Sequence, residues 1–201
     1  MRLIRFRFAE VFILIFFSSC YAPPYVYDPF PHPSEVIYWS ATKRLQWDNF
    51  TDRTVASNSS TVLEVSIKTQ YDWVKPSGDF PPKFRVVCYV DKQLSWADKR
   101  YVNERRLFYN QTVFDIYELF MRRMRQDFSS KISAFDSPSR MNTEVGIIYR
   151  SNEKDLNLTL QNFYRDTNKG EKISEVNRWS ANVNAQLKEL ESFKVDIAFA
   201  P

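Results

Sequence analysis

Arg106-Leu-Phe-Tyr-Asn-Gln-Thr-Val-Phe-Asp-Ile-Tyr-Glu-Leu-Phe-Met-Arg-Arg-Met-Arg125 is the stretch that decides the fold. Its apolar side chains, Leu107, Phe108, Phe114, Ile116, Leu119, Phe120 and Met124, recur with charges interspersed, which is the habit of a helix. The pattern runs upstream through Tyr101 and Val102 to Asp98, an N-cap residue by type, and downstream to Phe128. No Gly or Pro intervenes before Pro138, so one long helix is expected, broken at Ser137-Pro-Ser139.

Outward from that helix the period changes. Leu63, Val65, Ile67 and Thr69 alternate with Glu64, Ser66, Lys68 and Gln70, the pattern of a half-buried strand over 61–71. Phe84-Arg-Val-Val-Cys-Tyr-Val90 predicts the next strand, after a loop over 72–82 that holds Pro76, Gly78, Pro81 and Pro82. Val36-Ile-Tyr-Trp39 and Leu45-Gln-Trp-Asp-Asn-Phe50 are aromatic-rich pieces that open the domain. Beyond the long helix, residues 143–149 read as a short strand and 153–164 as a helix. Residues 174–193 read as an amphipathic helix with Ser174 as its N-cap and Val176, Trp179, Val183, Leu187 and Leu190 on one face. The expected fold is α+β: a small β-sheet packed on a long central helix, with C-terminal helices, in one domain over 36–201.

The first residues read as targeting. Arg2, Arg5 and Arg7 precede the apolar run Val11-Phe-Ile-Leu-Ile-Phe-Phe17 and then Ser18-Ser-Cys20. The run is far short of the roughly 20 residues that span a bilayer. Residues 1–19 are therefore expected to be a lipoprotein signal peptide and Cys20 the lipidated mature N-terminus, carrying diacylglycerol and an N-acyl chain such as palmitate. Phe17 stands where Leu is usual, and cleavage near Ala22 is the alternative. Residues 20–35 hold five prolines and read as an extended tether. Without residues 1–19 there remain 25 basic against 23 acidic side chains, so the basicity belongs largely to the targeting segment and nucleic acid is dropped as a partner. The expected location is a bacterial cell envelope, by preference the outer membrane, since Tyr21 replaces the aspartate that retains some lipoproteins at the inner one.

Composition removes several chemistries. The single histidine, His32, lies in the tether, where no packed structure holds an imidazole against a nucleophile, and two or three histidines for zinc are lacking. Glycines at 78, 146 and 170 build no phosphate loop. Cys88 lies in an apolar strand with no histidine near it in sequence, and reads as a small buried hydrophobe. Trp39, Trp47, Trp73, Trp96 and Trp179 read as core or edge residues before a sugar-stacking platform. Paired-carboxylate hydrolysis stays open on counting alone, with no pair standing out.

Tyr38-Trp-Ser-Ala-Thr-Lys-Arg-Leu-Gln-Trp-Asp-Asn-Phe50, Leu94-Ser-Trp96 and the segment 106–125 together resemble a bacterial family of unknown function predicted to be secreted zinc-dependent proteases. That family carries Leu-x-Trp-x-Asp-Phe, then Ser-Trp, then a helix with His-Glu-Gln-x-His-Phe-Asp-Ile. Tyr164-Arg-Asp-Thr-Asn-Lys-Gly170 and Trp179 resemble its later segment, where a Thr precedes a histidine and Gly. The resemblance covers residues 36–193 and implies a zincin-like domain. In that motif two histidines on one helix face bind zinc and the glutamate between them is the general base. Aligned on Gln111 and Phe114-Asp-Ile116, those positions hold Tyr109, Asn110 and Val113, and a further histidine is missing near Asn168-Lys169. Valine offers no donor and an asparagine amide is no base. The resemblance therefore implies a degenerate member with no catalytic residues, metal or cofactor at that site. Read by themselves, Asp115 is expected to hydrogen-bond a neighbouring loop, Glu118 to form an i,i+4 pair with Arg122, and Tyr109 to line a relict cleft or pack.

The leading expectation is a lipid-anchored pseudoenzyme serving as a binding or assembly component, its partner a peptide, another envelope protein or a glycan. An active hydrolase with a carboxylate metal site at Asp115 or Glu118 would need at least three acids converging on the 109–118 helix face. A purely structural lipoprotein would show a filled apolar surface around Tyr109 and Val113.

Overall fold

The computed structural model describes residues 31–53, 61–62, 65–72, 83–100, 102–131 and 138–195. The expected signal peptide, Cys20, Trp73 and residues 73–82 of the expected loop lie outside the described residues; Asp72, expected to open that loop, is the last residue of a strand. The strands are β1 (Val36–Tyr38), β2 (Thr51–Asp52), β3 (Thr61–Val62), β4 (Val65–Asp72), β5 (Lys83–Asp91) and β6 (Trp96–Ala97); the helices are α1 (Glu104–Lys131), α2 (Pro138–Asp166) and α3 (Ile173–Glu189). The fold is α+β, with three helices and two small three-stranded sheets.

The principal sheet has the order β1-β5-β4, antiparallel throughout, with Ile37 opposite Val90 and Ile67 opposite Cys88. Val86, Cys88 and Val90 alternate along β5 and join one core cluster with α1. The second sheet, β2-β6-β3, pairs β6 parallel to β2 and antiparallel to β3. Residues 31–35, read as the end of the tether, are instead bonded into the folded unit. The His32 carbonyl accepts from Glu35 N and Val36 N, the Tyr38 hydroxyl donates to Pro31 O at 2.6 Å, and Lys92 Nζ donates to Pro33 O and Ser34 O.

α1 begins later than its apolar pattern suggests. Asn103 is its cap, with Oδ1 accepting from Arg106 N at 2.9 Å, while Asp98 is taken by the Arg100 guanidinium at 2.5–3.2 Å. The helix is buried on most sides because the sheet covers one flank and α2 and α3 cover others. Phe120, Met124 and Phe128, each about 1–2% exposed, are worth about 1.5–3 kcal/mol apiece in burial.

The expected strand over 143–149 is the N-terminal part of α2, continuous with the expected helix over 153–164. Met141, Val145, Ile148, Asn152, Leu156, Leu160 and Phe163 are the buried positions, at steps of three and four, and Ile147, which a strand would have set on the face of Val145, is 45% exposed. Tertiary packing on α1 overrides the β-propensity of Val145, Ile147 and Ile148. Pro138 opens α2 at its first position, where a missing N–H costs nothing. α3 starts at Ile173 with Lys172 in the cap position, not Ser174, and ends at Glu189 before a short 3-10 turn, Glu191–Phe193. It buries Val176, Ser180, Val183 and Leu187.

Candidate functional site

At 100° per residue, Tyr109 and Val113 lie on one side of α1, with Asn110 a step around; Gln111, Asp115, Glu118, Arg122 and Arg125 form a stripe on the opposite side. The two sides are built differently.

On the first side, Tyr109 is 8% exposed and stacks on Phe163 of α2 with ring centroids 5.1 Å apart. The turn between α2 and α3 closes over it. Asn168, Lys169 and Gly170 all take positive φ (47°, 53° and 94°), and a Cβ built on Gly170 would stand 3.0 Å from Tyr109 Cδ2. Glycine is required there both for its backbone and for the space. Thr167 anchors the turn by donating to Phe163 O at 2.6 Å, and Arg106 and Arg105 of α1 reach across to Lys169 O and Gly170 O. Burial pushes the Tyr109 phenol well above the ordinary tyrosine range; Tyr164 adds to this and Arg106 opposes it. Val113 is 6% exposed in the apolar core, and Asn110 is 3% exposed with its Nδ2 unpartnered. Tyr109 therefore packs against Phe163 and the turn.

On the other side, every acid is saturated. Asp115, fully buried, accepts from Trp39 Nε1 (2.8 Å), Gln111 Nε2 (2.8 Å) and both Arg44 terminal nitrogens (3.3 and 2.9 Å). Gln111 Oε1 accepts from Leu45 N at 2.7 Å, so the loop over 39–45 is pinned to α1 at three points, in keeping with the loop contact expected of Asp115. Glu118 accepts from Arg122 Nε, from both Arg125 terminal nitrogens and weakly from Cys88 Sγ at 3.8 Å. Arg122 continues to Leu187 O and Glu191, and lies over the Trp39 ring at 5.1 Å. Arg125 continues to Val86 O and Phe193 O. The Glu118–Arg122 pair, expected as an i,i+4 helix pair, is almost wholly buried, with side chains 3% and 1% exposed. Its partners tie β5, α1 and the end of α3 together.

Cys88 is 2% exposed, and burial, reinforced by Glu118, pushes its thiol well above the usual range, which keeps it protonated. His32 is exposed on the turn before β1 with Nδ1 2.8 Å from Ser34 Oγ. Trp39, Trp47 and Trp179 are half-buried against the core. Among the described residues no three His, Cys, Asp or Glu side chains converge, so the acid cluster required by the carboxylate-hydrolase reading is not found there.

Sequence reasoning named Asp115, Glu118 and the pairing of Glu118 with Arg122 but missed the rest of the complement, the side chains of Gln111, Arg125 and Arg44. The signal was present: Gln111, two acids and then two arginines, at steps of four, three, four and three, occupy spacing that otherwise belongs to apolar core residues. The structure also has a cleft of about 1020 Å³ between β1, the loop over 39–49 and the first turn of α1, and a smaller one of about 280 Å³ between α1 and α3. Neither is lined by Tyr109, Asn110 or Val113. No protein family matches this chain, and no curated protein or solved structure matches it significantly.

Proposed function

We propose that this chain is a lipid-anchored component of a bacterial cell envelope, a zincin-like relative that has lost catalysis and acts in binding or assembly. The observation that carries the reading is a juxtaposition. The segment 168–170, where the resembling family places a further histidine, packs directly on Tyr109, where that family places its first zinc ligand. A metal site assembled from those two segments has the right neighbours, and Tyr109, Asn110 and Val113 fill it with an aromatic ring, an amide and an aliphatic side chain. Asp115 and Glu118 are each buried and held by several donors, arginine guanidinium groups among them, which argues against a substitute metal at either. Among the described residues no helix is long and apolar enough to cross a membrane; attachment through Cys20 would supply the anchor.

A reconstruction tests the zincin-like part. Tyr109→His, Asn110→Glu and Val113→His together should bind zinc, and a further histidine through Asn168→His or Lys169→His should tighten it about tenfold or more, read by competition with a chromophoric chelator. The same histidine placed through Asn182→His on exposed α3 should add nothing. Equal effects at all three places would sink the relict-site reading. Zinc bound stoichiometrically by the natural chain, or peptidase activity from it, would overturn the loss of catalysis. Labelled palmitate should enter the full chain and be lost in Cys20→Ala.

A purely structural role is the second reading, favoured by one observation: the surface at Tyr109 and Val113 is filled. A binding role then needs another site.

A further inference from the structure

The larger of the two clefts has a character of its own. Residues 36–40 form one wall, residues 42–47 and Asn49 the other, and Glu104 and Leu107 of α1 close one end. At about 1020 Å³ it reaches the upper end of the usual range for ligand sites. β1 is the outermost strand of its sheet, so the wall it forms is extended backbone.

Charge narrows the occupant. Arg44 is answered by Asp115 from behind. Lys92 Nζ meets only neutral carbonyls, those of Pro33 and Ser34, and exposed Lys43 pairs with no carboxylate among the described residues. Among the described residues Glu104 is the one carboxylate lining the cleft, and the positive end of α1 lies beside it. The rings are turned to other work. Trp39 gives its N–H to Asp115 and lies under Arg122, and Trp47 packs on Phe50 with centroids 5.3 Å apart. That argues against a sugar-stacking platform, and the concave form argues against a flat membrane surface.

We propose that this cleft binds an extended acidic peptide segment of a partner protein, its carboxylates held by Lys43 and Lys92 and its apolar side chains lying between Ile37, Trp47 and Leu107. The proposal rests on the binding role above and names its site and partner chemistry. Lys43 is the discriminating residue because its side chain is exposed and holds no other element in place.

The full chain in neutral detergent is titrated, by fluorescence anisotropy, into a labelled peptide that alternates glutamate with valine and threonine, and into the same peptide with glutamine for glutamate. The acidic peptide should bind about tenfold tighter, weaken with added salt, lose about fivefold or more on Lys43→Glu and keep its affinity on Lys43→Arg. Equal affinity for both peptides, no binding of either, or indifference to Lys43→Glu would overturn the proposal. Lys43-dependent quenching of tryptophan fluorescence by phosphatidylglycerol in the micelles, without peptide binding, would assign the cleft to lipid headgroups and also overturn it. The zinc reconstruction reads the opposite side of α1, so failure here and failure of the relict-site reading are told apart.

Discussion

The two sides of α1 are one helix with opposite solutions to burial. Along Gln111, Asp115, Glu118, Arg122 and Arg125, five polar side chains leave water together and every acid finds two or more donors, so low local polarity strengthens the contacts. Around Tyr109, Asn110 and Val113 burial is achieved by rings and a glycine turn, and the one amide present is left with an unpartnered Nδ2. Polar residues in a core hold elements together only as a completed set; a lone remnant is a cost.

The sharpest way to break that contrast is Glu118→Ala. It strands Arg122 and Arg125 in the interior and should cost about 3–5 kcal/mol in urea unfolding at neutral pH. A loss under about 1 kcal/mol would mean that the arginines find other acceptors and the network holds nothing. On the opposite side, Gly170→Ala puts a Cβ against Tyr109 at positive φ and should cost about 1–3 kcal/mol. Part of that cost should be relieved in the Tyr109→Leu background, and strict additivity in the double-mutant cycle would show that the two do not press on each other. Asn110→Leu should gain about 1 kcal/mol by removing an unsatisfied buried amide, whereas a loss would reveal a partner for it. The smallest effect is in pH. The Arg122 hydrogen bond beside Glu191 holds its carboxyl below the usual carboxylate range. Its contribution is therefore present above the unfolded value of about 4.3 and is lost as pH falls through the lower folded one. Glu191→Gln should flatten that part of the stability profile, and an unchanged profile would remove Glu191 from the network.

Much of this fold is legible in local pattern. The 106–125 segment is helical as its apolar and charged residues imply, β5 follows its own periodicity within a residue at each end, and α3 starts within a residue of its expected start but stops at Glu189, short of Phe193. Where Val145, Ile147 and Ile148 suggested a strand, the longer spacing from Met141 to Phe163 on the face of α1 prevails, because a strand there would have left that face uncovered. The helix start moved from Asp98 to Asn103 because Asp98 had a nearer partner in Arg100. Glu118 and Arg122 were visible as a pair, but nothing local says whether such a pair is wet or dry.

The sequence by itself determined the α+β class, the long helix α1 and the lack of imidazoles for a zinc motif at Tyr109 and Val113, because periodicity and donor chemistry are properties of residue types. Only the tertiary structure decided that Asn168, Lys169 and Gly170 close on Tyr109, that the stripe from Gln111 to Arg125 is buried and saturated, and that a cleft opens beside Lys43. Those depend on which elements meet across 60 to 80 residues of chain, as Asp115 meets Trp39 (76 residues apart) and Arg106 meets Lys169 (63), and burial is set by such meetings.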